Sequence, residues 1–69
     1  MYILIEMQTN ESTALVPAKT FTDRLQAESA FYTALAAAAV SSVRVHTVLL
    51  VDEHGKVIRQ DCYEHLTEA

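Results

Sequence analysis

The sequence predicts an α+β fold: ββαββ, one helix packed on an antiparallel three- to four-stranded sheet. Three observations predict it. The chain opens on a run of β-formers. Its centre is alanine-rich and free of proline and glycine. A long apolar strand then runs into a turn holding the one glycine, Gly55.

Tyr2 to Met7 reads as the first strand, with Ile3, Ile5 and Met7 on one face and Tyr2, Leu4 and Glu6 on the other. Thr9-Asn10-Glu11-Ser12 is turn-like, and Thr13 to Val16 can return as a short second strand. Pro17 stops that strand or marks it as an edge. Thr20 or Thr22 can cap a helix running from about Asp23 to Ala39, where alanine and leucine dominate. At the helical period Leu25, Tyr32, Leu35, Ala36 and Ala39 share a face, with Phe31 at its margin, and this is the expected core face. The reverse side holds Ala27, Ala30, Ala34 and Ala37, where alanine either serves helix formation alone or admits a second helix.

Val43 to Asp52 is the strongest strand. Asp52 to Lys56 forms a hairpin turn with Gly55 left-handed beside a bulge, and Val57 to Tyr63 returns. Residues 64–69 are polar and expected to fray. The main strand has Val43, Val45, Thr47, Leu49 and Val51 on one face, assigned to the helix. The other face carries Arg44, His46, Val48, Leu50 and Asp52, apolar at the centre and polar at the rim. That is the anatomy of a patch covered by a partner, so Val48, Leu50, His46 and Leu4 are the expected interface residues.

Composition narrows the function. A chain of 69 residues makes one domain and buries only about 60% of its unfolded surface. Small domains close that gap with disulfides, metals or self-association. Cys62 is the only cysteine, so no intrachain disulfide can form. With 51% apolar residues, a homodimer or higher homo-oligomer is expected. A net charge of −4 with five scattered Lys and Arg disfavours nucleic acid and anionic membranes. The N-terminal residues lack signal-peptide features and no run is long enough to span a bilayer, so a cytoplasmic protein is expected.

Chemical signatures are sparse. Glu28 falls among Phe31, Tyr32 and Leu35, where a carboxylate could be desolvated and act as a general acid; the plainer role is a charge at the positive end of the helix. His46 with Cys62 suggests a nucleophile and base, but no orienting group or oxyanion loop accompanies them. Adding His65 makes a zinc site imaginable, yet one cysteine and three histidines fall short of a structural set. No metal, cofactor or catalytic residue is therefore assigned.

The segments Tyr2 to Thr9, Ala36 to Ser41 and Val45 to Leu50 resemble short uncharacterised proteins encoded in prophage regions of gut bacteria. The likeness covers most of the chain. It implies at most a phage accessory or virion-associated part, and it transfers no functional residues. Two readings follow. One is a non-enzymatic, self-associating interaction module. The other is a small enzyme or ligand-binding protein with a subunit-interface site using Glu28, His46 or Cys62.

Overall fold

The computed structural model describes residues 1–65. Its elements are β1 (Tyr2–Thr9), β2 (Ala14–Leu15), β3 (Ala18–Phe21), α1 (Arg24–Ala39), β4 (Val45–Asp52) and β5 (Val57–Glu64). The fold is α+β, one helix on an antiparallel sheet of five strands. β1 and β4 are the central strands, β5 forms one edge, and β2 and β3 share the other.

The extra strand is β3. Pro17 interrupts the edge without ending it: its carbonyl accepts from the Glu6 N–H at 3.0 Å, and β3 pairs with β1 beyond it. A proline lacks the N–H a ladder needs, so it fits where that side faces no further strand. The β4–β5 hairpin closes as expected. Gly55 sits at φ +84°, and the bulge falls opposite Leu50 and Val51. The Asp52 carboxylate accepts from the His54 and Lys56 N–H groups, both at 2.9 Å, and fixes the turn. Glu64, expected to fray, is the last residue of β5, and residues 66–69 lie outside the described ones.

Asp23, rather than either threonine, caps α1: its carboxylate accepts from the Leu25 N–H at 3.0 Å. The helix is apolar almost all round, so its sequence does not select a face. The structure buries Ala27, Phe31 and Ala38, with Ala30, Ala34 and Leu35 packed beside them. The expected core face is thus rotated out: Leu25 is 76% exposed and Tyr32 51%. Fully buried Ala27 and Ala38 let the backbone approach the sheet closely, and Phe31 fills the space between them.

The sheet face under the helix is the opposite of the expected one. Leu4, His46, Val48 and Leu50 are all buried, with Val48 and Leu50 at 0% exposure. They are core, not an outer interface. That face carries polar residues at its rim, as an exposed surface would. Its parity also carries Glu6 and Asp52, which look solvent-facing, yet Glu6 and His46 satisfy each other and dock beneath the helix edge.

Candidate functional site: the bare sheet face

With α1 on the inner face, alternation sends Ile3, Ile5 and Met7 of β1 outward, together with Val45, Thr47, Leu49 and Val51 of β4. Register adds Ala18 and Thr20 from β3 and Val57, Gln60, Cys62 and Glu64 from β5. Ile5 stands directly opposite Leu49, and Ile3 opposite Val51, at the middle of the sheet. These side chains are half-buried by their strand neighbours alone, and Met7 and Val57 are exposed. Among the described residues, no second layer covers this face, and Glu64 at one corner is its only charged strand residue.

Cys62 belongs to this outer face. It pairs with Thr47, whose hydroxyl donates to its sulfur at 3.2 Å. His46 pairs instead with Tyr63 and points inward. The sheet therefore separates the thiol from the imidazole, which removes both the nucleophile–base pair and the Cys–His metal arrangement. No group of three metal-ligating side chains occurs among the described residues.

His46 is structural. Its Nε2 lies 2.9 Å from Glu6 Oε1 and, facing a carboxylate that only accepts, donates to it. Its Nδ1 is buried without a partner among the described residues. His65 closes the other end of the core. Its Nε2 lies 2.8 Å from the Ala38 carbonyl, which also accepts from the Ser41 N–H at 3.2 Å, and its ring stacks on Tyr63.

Glu28 is not in the core. It stands at the helix edge between Arg24 at 2.9 Å and Arg59 at 3.5 Å, and Arg59 also lies over the Tyr32 ring. The Arg24 hydrogen bond holds its carboxyl below the ordinary value; desolvation opposes this and loses, while Arg59 adds to the lowering. This is the reverse of a general acid. Asp52 is also lowered, chiefly by the Lys56 N–H and then by that of His54. For both groups the folded pKa lies below the unfolded one. Their contribution is present above the unfolded value and is lost as pH falls through the folded one. Thermal melts should therefore decline on acidification through the carboxylate range, and Glu28→Gln should flatten that decline. A Glu28→Gln melting curve with the wild-type pH slope would contradict the assignment.

A groove of about 540 Å³ runs between α1 and the β1–β3 side, with Glu6 and Lys19 on one wall and Ser29 and Thr33 on the other. Among the described residues, neither this groove nor the smaller ones at Arg24 and Asp52, at Asn10 and Arg44, and at Phe31 and Gln60 is lined by Glu28, His46 or Cys62. Glu28 at the helix edge, His46 under the helix and Cys62 on the outer sheet face thus lie in three separate settings.

Fold and surface together define a two-layer α+β domain with one covered and one bare sheet face. Compared with known proteins, the chain matches no family model, no curated protein and no solved structure. No helix among the described residues is long and apolar enough to cross a membrane.

Proposed function

We propose that this protein is a non-enzymatic interaction module that associates with itself through the outer face of its sheet. The observation supporting this reading is the apolar patch of Ile3, Ile5, Met7, Val45, Leu49 and Val51 on the two central strands. A layer that is greasy on both sides is stable only when both sides are covered. The helix covers one.

A second copy is the occupant that suits the other. The face is close to neutral, so it offers nothing to a nucleic acid or a charged peptide. Two identical neutral apolar faces are complementary under a two-fold axis without further design. Three strands of eight residues and the six residues of β2 and β3, spaced about 4.8 Å apart, give a face of roughly 500 Å², or roughly 1,000 Å² for the pair. That reaches the lower bound for a specific interface, which is about 1,000 Å² in total. Stacked sheets would sit about 10 Å apart with their side chains interdigitated. A role as a phage accessory or virion-associated part, which the resemblance to prophage proteins implies, suits a small self-assembling module.

Sedimentation over a series of micromolar concentrations tests the reading. The expected mass is at least twice the 7.7 kDa of one chain. A single-chain mass throughout would overturn it.

A further inference from the structure

We propose a second contact between copies, separate from the sheet face: the β5 edge pairs antiparallel with β5 of another copy, centred on Gln60. This inference goes beyond the bare-face reading and stands whether or not that face is covered.

The two edges of the sheet differ. On the far side, β2 and β3 are short and Pro17 divides them. β5 is eight residues long, regular from Arg59 to Glu64, and among the described residues no strand lies beyond it. Its hydrogen-bonding parity is fixed. The His65 N–H donates to the Arg44 carbonyl at 2.7 Å, so residues 59, 61, 63 and 65 bond to β4. Gln60, Cys62 and Glu64 therefore turn their amides and carbonyls outward. The Cys62 N–H is free enough to donate to its neighbour's carboxylate, Asp61 Oδ1, at 2.8 Å.

A two-fold axis at Gln60 lets the two Gln60 residues exchange both backbone hydrogen bonds. Arg59 then stands opposite Asp61 of the other copy, and Asp61 opposite Arg59, on the helix side of the sheet. Both are non-hydrogen-bonded positions, where side chains approach most closely. Charged residues usually block an edge, because they bring like against like or leave charge unpaired. Here the order of signs along β5 mates opposite charges under the axis. The Arg59 side chain is 40% exposed, and its single 3.5 Å contact with Glu28 leaves guanidinium N–H donors for the aspartate of the other copy. The bulge at Ile58 limits the pairing to a short stretch, so the edge acts alongside a larger contact and gains from it by effective concentration.

Charge reversal tests this. The wild type should sediment as a tetramer, two edge pairs packed face to face, and Asp61→Arg or Arg59→Asp alone should halve that mass. Mixing the two variants should restore it, since each arginine then meets an aspartate across the axis. A second measurement covers any loss of folding in Arg59→Asp: Gln60→Cys in a Cys62→Ser background should cross-link to a covalent dimer under mild oxidation. A wild-type dimer that Leu49→Lys reduces to a monomer, a mass that ignores both reversals, or a mixture that stays halved would each overturn the edge. Failure of the face reading is distinct, because Leu49→Lys would then leave the wild-type mass unchanged.

Discussion

Leu50→Asp should unfold the protein. Leu50 is fully buried against Phe31, Ala27 and Val48. Truncating such a leucine to alanine costs about 2–5 kcal/mol through lost transfer energy and the cavity left behind. A carboxylate in that place adds a desolvation cost that nothing nearby offsets. A domain of this length has roughly 3–10 kcal/mol of stability in all. Loss of the helical far-UV signal at room temperature is the expected result. A folded, monomeric Leu50→Asp would show that Leu50 lies on an outer surface and that the helix covers the other face.

The adjacent residue should behave in the opposite way. Leu49→Lys should keep the fold and at least halve the sedimenting mass. Leu49 lies opposite Ile5 in the middle of the bare face, where a lysine can extend into water in a lone chain. Within an assembly it would be trapped against a second apolar sheet. A central interface residue is worth about 2 kcal/mol, and a two-fold axis counts each substitution twice. The sum of about 4 kcal/mol weakens association roughly a thousandfold. Unchanged mass in a folded Leu49→Lys would remove the face as an interface. Together the two variants separate inside from outside at consecutive positions of one strand.

The sequence made several elements legible because the chemistry was local. The Asp52–Lys56 turn, its glycine and the helix from Asp23 onward rest on residues within a few positions of one another. What the sequence hid depends on partners far along the chain. β3 is built from Ala-Lys-Thr-Phe, a weak strand former, and exists because β1 offers it a ladder. The facing of β4 was hidden too. Both of its sides are apolar at the centre, and His46 made one of them look wet. Only the β1–β4 register brings Glu6 to within 2.9 Å of His46 and explains how that side can be buried. On the helix, side-chain size favoured Leu25 and Tyr32, whereas close packing favoured the alanines.

The candidate interface moved for the same reason. An excess of apolar strand surface was visible in the sequence, and so was a single helix able to cover one side. Which side remained open followed from the helix phase. Exchanging the faces keeps the argument for self-association and replaces every residue assigned to it, Val48 and Leu50 giving way to Leu49 and Val51.

Isotope-filtered NOE spectra of a mixed sample, half the chains labelled and half not, test the central claim most directly. Contacts between copies should appear among the methyl groups of Ile3, Ile5, Leu49 and Val51. None should come from Val48 or Leu50, whose methyls should see only their own helix. Intermolecular contacts from Val48 and Leu50, or none from the Ile5–Leu49 face, would contradict the structure's division of the sheet into a closed side and an open one.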